Sequence, residues 1–369
     1  MSHESSFSGA KLERLAARRQ GLRIATSVAV GFAVAVWAKD PIPFLAPVFA
    51  LQFLTASRRP LSLAQGLVMV ALILVVAQIL SLTVSVLTGH PLVLGAVLWL
   101  LYFVCFYLQA EGKGGTAIFI VLVIAIIVPL LGVAQIDLET PLFGVERVDL
   151  GESIARTFTK AAIGGNVLAW GAHALWPDPA GGMSPPPAMP PKRPPVRQAL
   201  ASASILLAGA VLCFVDQRLS FALVIPITVA SLLGQLDIAT TQKSALGLVI
   251  VNLLGGIVAS LAFVFVSLWS NLPALFLVVL IVALVFGGRA AADPKMGKIS
   301  AGALTTFLVL LGIGVSPLPG STPESFSTRV AYVLFAIFYT LCLAVLLWPN
   351  PKGRRNGRNP ASPTISNST

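Results

Sequence analysis

Two long stretches of this sequence contain no Asp, Glu, Lys or Arg: residues 60–110 and residues 244–288. One helical crossing of a bilayer uses about 20 apolar residues, because each residue advances a helix by about 1.5 Å across a hydrocarbon core of about 30 Å. Each stretch is too long for one crossing and long enough for two. The sequence therefore predicts a pair of membrane-spanning helices in each stretch.

Further uncharged runs are each about as long as one membrane-spanning helix. There are eight of them: residues 24–38, 41–57, 114–136, 161–177, 198–215, 219–236, 299–323 and 330–351. With the two double runs they predict twelve transmembrane helices in an all-α integral membrane protein. The composition agrees, because 56% of the 369 residues are hydrophobic and 11% are charged, whereas a soluble globular chain has about 25% charged residues.

The net charge of +11 is spread over many short loops and forms no single patch or stripe, which argues against nucleic acid as a partner. With the N-terminus in the cytoplasm and twelve crossings, 19 of the 25 Lys and Arg residues fall on the cytoplasmic side. The helices were counted without using loop charge, so this agreement with the positive-inside rule supports the count independently. We expect a multi-pass cell-membrane protein with both termini in the cytoplasm.

The two halves of the chain resemble each other. The segment RRPLSLAQGLVMVALILVVAQ from Arg58 parallels TTQKSALGLVIVNLLGGIVAS from Thr240, and both halves end on Trp-Pro, at Trp176 and Trp348. Six helices per half is an even number, so both halves start from the same side of the membrane and the repeat is parallel. The predicted organisation is a cytoplasmic segment (1–20), a six-helix repeat (21–177), a Pro-rich semi-rigid linker (178–196), a second six-helix repeat (197–349) and a disordered cytoplasmic tail (350–369).

The second span of each half is short and contains proline: Pro43 and Pro47 in the first half and Pro226 in the second. Short proline-containing spans at matching positions of two repeats are typical of a transporter's substrate site. Carbonyls freed by such prolines have to face protein or a water-filled cavity. We therefore predict that Pro47, Pro226 and the nearby Gln52 line a substrate pathway. The alternative is that Pro43 occupies a first turn and that Pro47 and Pro226 only kink their helices for packing.

Basic residues near the ends of the spans are candidates for contact with an anion. Arg156 and Lys160 are four residues apart on one face of the sixth span, and Arg329 starts the equivalent span of the second half. A cation at depth usually marks a pathway, and the acidic segment 137–152 lies beside the pair, so we expect this outer face to handle negative charge. The alternative is that these side chains snorkel to the headgroups. The uncharged amides at depth, Gln78, Gln109, Asn166, Gln235 and Asn252, are expected mainly to join helices by hydrogen bonds.

The sequence contains no motif for catalysis or cofactor binding. GKIS at Gly297 lacks both the upstream Gly and the Ser or Thr directly after Lys that ATP hydrolysis requires. No HExxH, paired Cys or acidic cluster offers a metal site. We expect no enzyme activity, no cofactor and no metal.

An arginine-bearing first span (RRQGLRIATSVAVGFAVAVWA), a short proline-containing second span (FLAPVFALQFLTA) and a basic turn before a long third span occur twice in the chain. This order resembles the fusaric acid resistance (FUSC) family of bacterial inner-membrane efflux proteins, over most of residues 18–349. The chain is similar to a short branch of that family in which only the linker joins the halves. Arg23, Pro47, Arg58 and Arg59 match pattern positions, which adds Arg23 to the predicted pathway.

The resemblance implies export of aromatic carboxylic acids, similar weak acids or toxic compounds, so the expected ligand is a small anionic or aromatic molecule. It also implies a periplasmic adaptor of the membrane-fusion type and an outer-membrane channel as partners, and it is compatible with a homo-oligomer. A channel is an alternative, although it would need a ring of like residues and the repeat offers only Arg156 with Arg329. A scaffold or membrane-embedded enzyme without transport of its own is the other alternative.

Overall fold

The computed structural model describes residues 2–87, 89–113, 115–134, 150–177, 196–215, 224–236, 242–269, 271–292, 297–317 and 326–347. Every regular element within these ranges is an α-helix. In chain order the helices are α1 (Ser2–Trp37), α2 (Leu45–Ala56), α3 (Leu63–Leu87), α4 (Pro91–Ala110), α5 (Gly115–Ala134), α6 (Leu150–Leu175), α7 (Val196–Val215), α8 (Val224–Leu236), α9 (Gln242–Leu268), α10 (Leu272–Ala292), α11 (Gly297–Val315) and α12 (Phe326–Leu347).

Seven helices in the described residues are long and apolar enough to cross a membrane. These segments are Leu12–Trp37, Leu63–Leu87, Pro91–Ala110, Gly115–Val133, Val196–Val215, Ile250–Leu268 and Leu272–Ala292. Large apolar side chains cover their outer surfaces; on α3, for example, Leu63, Leu67 and Leu82 are each more than 60% exposed. A soluble protein does not expose apolar surface on this scale. The protein is therefore a helical membrane protein.

The ends of three helices differ from the sequence prediction. α2 starts at Leu45, after Pro41 and Pro43, because a residue that precedes proline is disfavoured in the helical conformation. Its 12 residues extend about 18 Å, well short of a bilayer core. In contrast, α1 continues back to Ser2 through the segment that was predicted to precede the first span, and α6 starts at Leu150, upstream of its uncharged run.

Helices of the two halves pack in matching pairs. α1 packs along α10, and α4 packs along α7. Within the halves, α2 packs on α6 as α8 packs on α12, and α3 contacts α5 as α9 contacts α11. The two short helices also contact the opposite half, since α2 touches α11 and α8 touches α5. Replacing each helix of the first half by the helix six places later therefore reproduces the main contacts.

Glycines allow two of these helix pairs to approach closely. A methyl group on Gly21 of α1 would lie 3.0 Å from the Cα of Gly288 on α10, and one on Gly165 of α6 would lie 2.8 Å from the Cβ of Phe49 on α2. Small residues at helix crossings bring backbones together in membranes, where van der Waals packing is a main source of association. The α1–α10 and α2–α6 crossings are therefore fixed by glycine.

Candidate functional site

The prolines of the two short helices lie near the start of each described helix. Pro47 is the third residue of α2, and Pro226 is the third residue of the described part of α8. The first four N–H groups of a helix have no partner within it, so a proline there removes no helical hydrogen bond. Pro47 therefore removes no hydrogen bond within α2. Both rings are buried, and the role of Pro47 and Pro226 in a substrate pathway stays a prediction.

The helix α2 is almost entirely buried. Its buried side chains run from Leu45 to Leu54, whereas Gln52 is only half-buried. Within the described residues, the Gln52 side chain has no hydrogen-bond partner, and only its backbone carbonyl accepts a bond, from Thr55. Gln52 is therefore a polar side chain available to a ligand on a helix that touches both halves of the bundle.

Arg23 occupies a structural position at the end of the bundle where the turn Gln20–Arg23 within α1, residues 57–62 and the end of α6 meet. We call this end of the bundle the basic end. Arg23 is fully buried. Its Nε donates a 2.7 Å hydrogen bond to the Trp176 carbonyl, and a terminal nitrogen donates to Gln20 Oε1 at 3.1 Å and to the Arg58 carbonyl at 3.3 Å. A cation beside the last carbonyls of α6 also complements the helix dipole. Arg23 thus joins three segments, and its predicted contact with substrate stays a prediction.

A cleft of about 700 Å³ opens at the basic end between α1 and α10. Arg14 and Arg18 of α1 and Arg58 of the α2–α3 turn line it, together with Glu13. The other lining residues are small or apolar: Ala17, Gly21, Leu22, Leu284, Gly288 and Ala292. Sequence reasoning missed this cleft because its walls come from three separate segments. The only local signal was the spacing of four between Arg14 and Arg18, which places them on one helix face.

The opposite end of the bundle carries Arg156 and Lys160 on α6. Arg156 donates a 2.6 Å hydrogen bond to Glu152, with both side chains 66% exposed, and Lys160 is exposed as well. Both cations lie on the same stripe of α6 as the exposed Ile163 and Val167. The packed stripe of α6 lies on another side of the helix, so both cations are free of the bundle interior. Their predicted contact with an anion stays a prediction.

Asp40 adds a carboxyl group at the same end. It follows α1 directly after Lys39, which has a left-handed backbone conformation with φ of 54°. Burial raises the pKa of the Asp40 carboxyl above its usual value, and the positive charge of Lys160 acts against this by lowering that pKa. The structure therefore places Asp40 within the electrostatic reach of Lys160, a residue far along the chain.

Two of the predicted amides join helices. The side-chain oxygen of Asn252 on α9 accepts a 3.2 Å hydrogen bond from Thr306 on α11. Gln109 at the end of α4 fills the space beside Gly234 of α8, where a methyl group would lie 2.9 Å from its Nε2. Gln78 is exposed on α3, in the middle of a surface of apolar side chains.

Asn166 is the exception among the buried amides. Its Nδ2 donates to the Ala162 carbonyl of its own helix at 3.0 Å, whereas its Oδ1 is buried without a hydrogen-bond partner in the described residues. The Asn166 oxygen lies against Gly66 of α3. The side chains of Gln235 and Arg329, the acidic segment 137–149 and the linker lie outside the described side chains, so their predicted roles stay predictions.

One family model matches part of the first half of the chain. Residues 20–145 match the model described as a protein of unknown function (DUF2955). The match covers α1 from Gln20 through α5 and includes Arg23, Pro47 and Gln52. No curated protein and no solved structure matches the chain. The part of the chain that the structure describes has no group of three or more His, Cys, Asp or Glu side chains placed to hold a metal ion.

Proposed function

We propose that this protein is an efflux transporter of the bacterial inner membrane, built from twelve membrane crossings in two parallel six-helix repeats. Its substrates are aromatic carboxylic acids, similar weak acids or toxic compounds. It works with a periplasmic adaptor and an outer-membrane channel, as the resemblance to the fusaric acid resistance family implies. The matching helix pairs of the two halves support the repeat.

The observation that carries the proposal is the position of α2 and α8. α2 is shorter than a bilayer crossing, and the described part of α8 has 13 residues. Pro47 and Pro226 are each the third described residue of their helix, and each helix touches its own half and the opposite half. Substrate sites of transporters with internal repeats lie where the repeats meet, and interrupted helices form them. A channel or a scaffold does not require a pair of short helices at that boundary.

The basic end faces the cytoplasm in this proposal, because Lys and Arg are concentrated in cytoplasmic loops. Reporter fusions after Asp178 and after Lys352 should both give a cytoplasmic signal, and a fusion after Lys39 should give a periplasmic one. A periplasmic signal at Asp178 would contradict six crossings in the first half.

The transport prediction compares two amides. We expect Gln52→Ala to lower the initial rate of export of radiolabelled benzoate about fivefold in inverted membrane vesicles, since one hydrogen bond to a ligand contributes about 1 kcal/mol. Gln78→Ala removes the same amide group from the outer surface of α3, away from the proposed pathway. No hydrogen bond to the substrate is lost, so the export rate should stay within about twofold of the wild type. The amount of each variant in the membrane is measured in parallel.

Three results would count against this role. Absence of benzoate transport by the wild type, tested beside a panel of other weak aromatic acids, would contradict the export proposal itself. Equal rates for the Gln52 and Gln78 variants would place the pathway away from α2. A larger loss for Gln78→Ala would move the functional surface to α3.

A further inference from the structure

The arginines of the basic end fall into two groups. Arg19 donates a 2.7 Å hydrogen bond to the Pro177 carbonyl, and Arg23 is bound to carbonyls as described above. In contrast, the side chains of Arg14, Arg18 and Arg58 have no hydrogen bond or ion pair within the described residues, and all three line the cleft between α1 and α10. Glu13 is the single carboxylate among the lining residues. The cleft is therefore positively charged, and its cations are available to a ligand.

The shape of the cleft follows from the helix crossing. α1 and α10 touch at Gly21 and Gly288, and the lining residues of both helices lie at and beyond this point towards the basic end. Arg14 and Arg18 stand one turn apart on α1, and Arg58 reaches the cleft from the α2–α3 turn. A methyl group on Gly288 would meet nothing within 4 Å, so the space next to the Cα of Gly288 is open on the side of the cleft.

The cleft is continuous with the apolar surface of α10. Leu284 lines the cleft and is 40% exposed, and the same stripe continues through Ile281 and Leu277, which are both more than half exposed. This spacing of three and four residues keeps the three side chains on one face of α10. A ligand that puts an anionic group among the arginines can therefore lay a hydrocarbon chain along a surface that faces lipid.

We propose that this cleft binds the phosphate of an anionic phospholipid, with Arg14, Arg18 and Arg58 around the headgroup and an acyl chain along α10. Guanidinium groups bind phosphate oxygens through paired N–H donors, and basic pockets between membrane helices on the cytoplasmic side bind anionic headgroups. With the orientation proposed above, the cleft opens to the cytoplasmic leaflet, which is the negatively charged one. A soluble organic phosphate shares the headgroup chemistry but makes no use of the stripe on α10.

The test uses the purified full-length protein in a neutral detergent and measures its thermal unfolding. Phosphatidylglycerol is added in one series, phosphatidylcholine in a second and inorganic phosphate in a third. Of the three additives, we expect only phosphatidylglycerol to raise the unfolding temperature. It is the only one of the three that combines a net negative headgroup with acyl chains. A variant with Arg14, Arg18 and Arg58 replaced by Gln should need at least tenfold more phosphatidylglycerol for the same increase.

Two further variants make the test specific. The control replaces Arg59, Lys113 and Arg289 by Gln, which removes the same charge from residues that do not line the cleft, and it should respond like the wild type. Gly288→Leu fills the open space and keeps every arginine, so it should also weaken the response to phosphatidylglycerol, even if the triple arginine variant does not fold.

Three outcomes would overturn the proposal. In the first, phosphatidylglycerol stabilises the Gly288→Leu protein as strongly as the wild type. In the second, the control variant loses the response as well, which would indicate a general charge effect. In the third, inorganic phosphate stabilises as strongly as the lipid, which would indicate a site for soluble anions. None of these results depends on transport, so export and lipid binding are tested separately.

Discussion

Replacement of Arg23 by Ala should destabilise the protein by about 3 kcal/mol, because hydrogen bonds to a charged group contribute about 1.5–3 kcal/mol each and their loss leaves buried carbonyls without a donor. Arg23 is fully buried and bonds to the carbonyls of Trp176 and Arg58. We therefore expect a marked fall in the unfolding temperature in detergent and in the amount of folded protein in the membrane.

Arg19→Ala is the matched control for this prediction. Arg19 lies one turn before Arg23 on the same helix and also donates to a carbonyl, that of Pro177, but its bond is exposed to solvent. Water can replace an exposed donor, so the Arg19 variant should stay within about 1 kcal/mol of the wild type. Equal stability of the two variants would contradict the role of Arg23 in joining α1, the α2–α3 turn and α6. Arg23→Lys should recover part of the loss, since an ammonium group lacks the planar fork that reaches several acceptors.

The second large effect is expected at the crossing of α2 and α6. In Gly165→Ala the new methyl group would lie 2.8 Å from the Cβ of Phe49 and 3.2 Å from the backbone nitrogen of Ala50. Backbone atoms cannot rotate away, so α2 has to shift, and overpacking of this kind costs about 1–3 kcal/mol. We expect both a lower unfolding temperature and a lower rate of benzoate export, because α2 carries the proposed site.

Gly171→Ala is the control for that prediction. It makes the same change six residues later on α6, where a methyl group would meet nothing within 4 Å. Alanine is the better helix former, so this variant should be at least as stable as the wild type. A Gly165 variant with normal stability and normal export would show that α2 has room to move, and would contradict a crossing fixed by glycine.

The positions of the helices follow largely from the sequence. In lipid every backbone N–H and C=O has to be paired within the protein, so a long uncharged apolar run can only become a helix. The runs 60–110 and 244–288 each became two helices, α3 with α4 and α9 with α10. The start of α2 was also readable, because proline removes a donor and restrains the residue before it. The predicted start of α2 lies too early in the chain, because the prediction relied on the length of the uncharged run and not on the positions of Pro41 and Pro43.

The roles of individual Lys and Arg residues could not be predicted from the sequence, because they depend on burial and on contacts with residues far away in the chain. Arg19 and Arg23 are four residues apart in the same basic segment, yet Arg19 is half-buried with a solvent-exposed hydrogen bond and Arg23 is fully buried. Lys160 lies in a predicted span, but helical periodicity alone does not decide which face of α6 packs against neighbours.

The sequence by itself determined that this is a helical membrane protein and where most of its helices lie, because hydrophobicity and backbone pairing act locally along the chain. Only the tertiary structure decided that α1 packs on α10 and that Arg14, Arg18 and Arg58 meet in one cleft. Among helices of similar apolar character, the hydrophobic effect does not choose partners inside lipid. The choice depends on close packing at residues such as Gly21 and Gly288, and that fit exists only between segments that are distant in sequence.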